Sequence, residues 1–241
     1  AVAAGAVLYG MDGGGGASDE QTVSPSPVPS GPSAARPTPT VAPGTDGKAL
    51  AARIERSALR RPGVSFVHRQ TGAGTTVSAR GTFRVMPGRE ASYSMLVSGG
   101  SPKLRRATQT VLVGSTGYVR VGRRWQTVPG ASRRTDGYAP LAARVRAMTS
   151  VDGVTALLER STALDGGARG YRGVIPAGQL GAPYAELVRL TGARQAGFVV
   201  TLDGAGLPRQ VRVTLGGGPR AVTVQTTYTG WGRRVTIKAP R

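Results

Sequence analysis

Apolar and polar residues alternate one by one through two long stretches of this chain. Val77, Ala79, Gly81, Phe83 and Val85 fall on one side of an extended backbone, with Thr76, Ser78, Arg80, Thr82 and Arg84 on the other. Ala91, Tyr93, Met95 and Val97 repeat the pattern against Ser92 and Ser94. After residue 195 it returns three times: Ala196–Leu202, Val211–Leu215 and Val222–Tyr228. A period of two buries one face of a strand and leaves the other in water. Such strands build an antiparallel sheet, because the two-sided burial of a parallel sheet would give continuous apolar runs. Shorter pieces extend the pattern. Val64 and Phe66 share a face, Val111 and Val113 follow less cleanly, and Tyr118–Val121 and Trp125–Val128 flank a Gly-Arg-Arg turn as a hairpin. Ala168–Ile175 reads as a further strand, and Val235 and Ile237 close the domain.

Helical spacing appears at the start and in the middle. Leu50, Ile54 and Ala58 lie four apart behind Thr45 and Asp46, either of which can cap a helix that Pro62-Gly63 ends. Leu141, Val145 and Met148 form a second stripe, Val154, Leu157 and Leu158 follow Asp152-Gly153, and Leu180, Tyr184, Leu187 and Val188 make a third. Helices are expected near 48–60, 138–160 and 178–192. Helix, strands, helices, strands is the order of an α+β fold: a curved antiparallel sheet, or half-barrel, wrapped over a layer of helices.

Three segments of different composition follow one another. Residues 1–11 hold the uncharged run Ala1–Tyr9, too short to span a bilayer and expected to be the remnant of a signal peptide or membrane anchor. Residues 12–46 contain Gly13–Gly16 and a Val-Ser-Pro-Ser-Pro-Val-Pro-Ser-Gly-Pro stretch, the composition of a solvated, unfolded linker. Residues 47–241 carry all the strand and helix patterning. Membrane segment, stalk and domain together predict an extracytoplasmic protein tethered to the cell membrane.

Chemistry is scarce in the domain. There is no Cys and only one His, His68. Disulfides, thiol nucleophiles and the usual zinc sites are therefore excluded. No phosphate loop, dinucleotide fingerprint or nucleophile elbow occurs. With few bases or nucleophiles available, no enzyme, catalytic residue, metal or cofactor is expected. Asp152, before Gly153, is a candidate helix cap, and Asp203 begins a turn. The formal net charge is +20. One Arg and four acids precede residue 47, which leaves 31 basic against 8 acidic residues, or +23, beyond it. That charge suits anionic partners such as a membrane surface or a wall polymer. A preponderance of Arg over Lys, with abundant Ala, Gly and Val, also fits a high-GC coding bias. Nucleic acid is not expected as a partner: Phe66, Phe83 and Phe198 sit on apolar strand faces, and no interleaved basic-aromatic pattern stands apart from them.

Three motifs occur in a telling order. Gly117–Val128 reads G-Y-V-R-V-G-R-R-W-Q-T-V, Val199–Val213 reads V-V-T-L-D-G-A-G-L-P-R-Q-V-R-V, and the chain ends Tyr228-Thr-Gly-Trp231-Gly232-Arg-Arg-Val235-Thr-Ile237-Lys-Ala239-Pro240. Over residues 45–240 this resembles the actinobacterial lipoproteins of the LppX/LprG type. The resemblance implies a half-barrel like that of the periplasmic lipoprotein carriers, with an apolar cavity for the acyl chains of a lipid or glycolipid. Members are anchored through an N-terminal Cys; with none here, either the sequence starts after it or a transmembrane anchor replaces it, and the apolar run before the linker favours the anchor. The residues expected to line the cavity are Phe83, Tyr93, Met95, Phe198 and Val200 from the strands and Leu141, Val145, Leu157 and Leu187 from the helices. Ala79, Gly81, Ala91 and Ala196 leave room beside them, or equally allow close packing over a dry core. The alternative is an envelope interaction or sensor module with no ligand cavity, which binds anionic polymers or a partner protein through its basic face.

Overall fold

The computed structural model of the chain describes residues 45–129, 137–167 and 170–241. The apolar run at 1–11 and nearly all of the 12–46 linker lie outside the described residues. Helix α1 (Gly47–Arg60) begins at Asp46, whose Oδ1 accepts the N–H groups of Lys48 and Ala49 at 2.9 and 3.2 Å. This satisfies two of the orphan donors of the first turn. Leu50, Ile54 and Ala58 are buried as their spacing requires.

Six strands follow: β1 (Gly63–Gly72), β2 (Thr75–Met86), β3 (Arg89–Gly99), β4 (Thr108–Val113), β5 (Thr116–Val121) and β6 (Arg124–Pro129). Helices α2 (Tyr138–Thr149) and α3 (Val151–Glu159) come next, then β7 (Ala163–Gly167), β8 (Gly170–Pro176) and α4 (Ala182–Thr191). The chain ends with β9 (Gln195–Leu202), β10 (Pro208–Leu215) and β11 (Val222–Thr229). All eleven strands form one antiparallel sheet in the order β6-β5-β4-β3-β2-β1-β11-β10-β9-β8-β7. Each half is a meander, and the halves join where β1 pairs with β11, Phe66 opposite Tyr228 and His68 opposite Thr226. The sheet stays open, with β6 and β7 at its two edges. A twisted sheet of this width curls rather than lying flat, and its concave face takes the helices. The inward residues of the strands and the apolar stripes of α1–α4 belong to one buried cluster.

The structure differs from the sequence expectations at four places. Val235 and Ile237 add no strand, and residues 233–241 have no regular secondary structure. β1 is already paired on both sides, by β2 and β11, so the tail finds no free edge there. Instead it lies over Gly63, where a Cβ would stand 2.0 Å from the Arg233 carbonyl oxygen. β7 is an unforeseen strand: of its Ala-Leu-Asp-Gly-Gly, only Leu164 is partly buried, so no alternation marks it. The helical region at 138–160 is two helices. Ser150, not Asp152, caps the second, its Oγ accepting the Gly153 N–H at 2.9 Å. Leu180 lies before α4, just after a short 3₁₀ turn at Ala177–Gln179, and α4 starts at Ala182 with Pro183 in its first turn, where a missing N–H costs nothing.

Candidate functional site

The helix layer rests directly on the sheet along much of its length. At one end of the half-barrel the two layers part. There the turn of the β2–β3 hairpin, the α2–α3 joint and the start of α4 enclose a cavity of about 490 Å³. That volume falls within the roughly 300–1,000 Å³ of small-molecule sites. Its apolar wall comes from both layers: Phe83, Ala91, Tyr93 and Ile175 of the sheet, and Ala147, Leu157 and Tyr184 of the helices.

The wall is held by aromatic packing. Phe83 and Tyr93 stack with ring centroids 4.9 Å apart and planes at 24°. Phe66 packs against both, and Trp231 meets Phe83 edge-on at 6.0 Å. Two phenols then tie the sheet to the end of α2. The Tyr93 hydroxyl donates to the Arg146 carbonyl at 3.4 Å, and the Tyr228 hydroxyl to the Thr149 carbonyl at 3.0 Å. Burial raises the pKa of both phenols above the ordinary tyrosine value, so both stay protonated donors at neutral pH.

Charged groups complete the cavity. Arg146 and Arg160 border it, as do Glu90 and Asp152, both solvent-exposed. Arg160 donates to the Gln179 carbonyl at 3.0 Å. Arg146 is only 8% exposed. Burial lowers its pKa from the usual arginine value, while Glu90 and Tyr93 favour the charged form. Among the described residues no group of three or more His, Asp or Glu side chains stands ready for a metal ion.

Of the nine residues expected on the cavity wall, Phe83, Tyr93 and Leu157 are there. Met95, Leu141, Val145, Leu187 and Val200 are buried in the packed core and do not border the cavity. Phe198 borders a second, more open groove of about 1120 Å³, with Leu158 and Leu164, near the β7 edge. The small residues divide likewise. Ala91 lines the cavity, but Gly81 is small because β3 crosses closely: a Cβ there would lie 2.2 Å from the Ser94 carbonyl oxygen. Arg146 was not foreseen. The signal was present, since Ala142, Arg146 and Thr149 are spaced four and three apart beside the Leu141–Val145–Met148 stripe, and all are buried.

The C-terminal motifs prove to be joints of the fold. Trp231 Nε1 donates to the Pro208 carbonyl at 2.8 Å, linking the Tyr-x-x-Trp-Gly segment to the Leu-Asp-x-x-Gly-Leu-Pro turn. Within that turn Asp203 Oδ1 accepts the N–H groups of Ala205 and Leu207, both at 2.9 Å. Asp203 thus plays the turn role its position predicts.

No protein-family model and no curated protein sequence matches the chain. Among solved structures, LprF from Mycobacterium bovis matches with a TM-score of 0.55 at 15% identity, over 80% of this chain and 96% of LprF. A LolA superfamily protein from Nitrosomonas europaea matches at 9% identity over 80% of this chain and 96% of its own, with a TM-score of 0.29 that is too low to say more. The domain therefore has the half-barrel α+β fold seen in LprF, at a sequence distance where the likeness is one of fold.

Proposed function

We propose that this domain binds an acyl chain of a lipid or glycolipid in the cavity between its sheet and its helices, as an extracytoplasmic envelope protein tethered to the membrane, and that its role is binding or carriage rather than catalysis. The observation that carries this reading is the 490 Å³ cavity, walled by apolar side chains from both layers and reachable from one end of the half-barrel. Each methylene buried there would contribute about 0.8 kcal/mol. The similarity in fold to LprF and the resemblance of the three motifs to the LppX/LprG type point the same way.

The test is native mass spectrometry of the domain extracted from its own host, with the Ala91→Trp variant beside it. Co-purifying lipid is expected on the wild type. Ala91 is only partly buried and borders the cavity, so an indole there fills space without overpacking the core. The variant should melt close to the wild type and carry little or no lipid. A wild type that emerges empty, and takes up no lipid on incubation, would remove the reading.

A second reading rests on the outer sheet face. Cross-strand register sets Arg172 opposite Val199, Val199 opposite Arg212, Arg212 opposite Gln225 and Gln225 opposite Arg69, so three exposed guanidiniums share one row. Arg212 is steadied by Gln225, whose Oε1 accepts its Nη2–H at 2.9 Å. This face would meet an anionic membrane surface or wall polymer. Binding to vesicles with anionic lipid should exceed binding to neutral vesicles and weaken as salt rises. Replacing Arg69, Arg172 and Arg212 together with Gln should remove most of the difference, and equal binding to both kinds of vesicle would leave the row without a partner.

A further inference from the structure

Arg146 is more than nine-tenths buried, yet among the described residues its guanidinium donates no hydrogen bond and forms no ion pair. Glu90 acts on it through charge alone, with no hydrogen bond, and a buried guanidinium whose Nε is unsatisfied is costly unless something else supplies the missing oxygen. The residue borders two spaces. Nε has no partner, nor does the nearby buried Thr110 Oγ1, and both residues border a small void of about 30 Å³. A void of that size admits one water. The same side chain also borders the 490 Å³ cavity. There it stands at the end of α2, close to the first turn of α3, where Ser150 takes the Gly153 N–H and leaves those of Val151 and Asp152 without intrahelical acceptors. A guanidinium and the positive end of a nine-residue helix thus meet at one place on a wall that also carries the apolar Phe83, Tyr93 and Leu157.

Resting on the proposed acyl-chain cavity, we infer that its ligand carries an anionic head group, a carboxylate or a phosphate, which seats against the Arg146 guanidinium beside the first turn of α3. Both anions fit the planar fork of donors, often through two parallel hydrogen bonds. The opposing charges are at the rim: Glu90 and Asp152 are exposed and screened by water, while Arg146 is not. Arg160 adds a second positive charge on the same wall. The chain would lie along Phe83, Tyr93 and Leu157, with its head at the α2–α3 joint that Tyr93 and Tyr228 pin to the sheet.

The experiment compares three probes with one sixteen-carbon chain: palmitate, hexadecyl phosphate and neutral hexadecanol, each titrated into the full domain and into Arg146→Met. At least one anionic probe should bind the wild type about tenfold or more tighter than hexadecanol, the effect of a charge-assisted hydrogen bond. Which of the two binds tighter identifies the head group. In Arg146→Met the preference of the anionic probes over hexadecanol should collapse to within about threefold. Equal binding of all three probes by the wild type would overturn the head-group site and leave the cavity reading standing. Binding of none of them would overturn both. The wild-type comparison needs no variant, so it decides even if Arg146→Met fails to fold. A variant that folds and keeps the full anionic preference would also overturn the assignment to Arg146.

Discussion

Replacing Phe83 with Ala is expected to destabilise the domain by about 3–5 kcal/mol, the largest effect of any single truncation in the sheet. Phe83 is fully buried on the inner face of β2 and touches four other rings. Aromatic pairs of this kind add about 0.5–1.5 kcal/mol beyond simple burial. The space it leaves would open into the neighbouring cavity, so the surroundings could not collapse to refill it. Urea denaturation should show a lower midpoint with an unchanged slope, the sign of lost stability without a change in the surface exposed. Tyr93 would also lose its stacking partner, and with it the orientation of the hydroxyl that holds the end of α2. A cost below about 1.5 kcal/mol would mean that the five rings do not act as one anchor.

The period-two pattern made most of this sheet legible, because one face of each central strand is buried and the other is not. β9, β10 and β11 alternate in burial almost residue by residue, as their sequences do. The pattern fails at the margins for a physical reason. β7 is an edge strand whose residues are mostly exposed, so nothing in its composition records a face. Val235 and Ile237 alternate but stand where no strand edge is free, and the hydrogen bonds that would have made them a strand have no partner. The break between α2 and α3 was marked at Asp152-Gly153 but falls two residues earlier, at Ser150, because buried residues continue on both sides of it.

The candidate site was less legible than the fold. Alternation tells which face a residue occupies, but not how far the opposite layer stands from it. Val200 and Phe83 carry the same signal, yet Val200 meets packed neighbours and Phe83 borders a gap. That gap depends on the lengths of α2 and α3, on the cap at Ser150 and on where α4 begins, none of which is encoded at Phe83 itself. Small residues were ambiguous for the same reason, with Gly81 required by close strand contact and Ala91 facing open space. Arg146 escaped notice because charged residues are usually solvated, and only the helix packing shows that this one is not.

Lowering the pH from 6.5 toward 4 is expected to cost the fold about 3 kcal/mol through His68 alone. His68 lies on the inner face of β1 and is 1% exposed. Its Nδ1 is 3.0 Å from Thr226 Oγ1, while Nε2 has no partner. Burial is the main cause that lowers its pKa from 6.5 to about 4, and the positive charge of Arg144 on α2 acts in the same direction. The unfolded chain therefore begins to take up a proton as the pH falls below 6.5, and the folded chain does not until about 4. Between those values protonation favours unfolding, so the stability from a neutral His68 is complete above the window, lost progressively through it and not lost further below it. Carboxylates also titrate toward the acid end, which makes the wild-type curve alone insufficient. His68→Gln separates the two: its neutral amide can still pair with Thr226 but does not titrate. Stability measured by urea at a series of pH values should fall by about 3 kcal/mol more in the wild type than in His68→Gln across the window. Parallel curves would mean that His68 titrates alike in the folded and unfolded chains, and that burial does not keep it neutral.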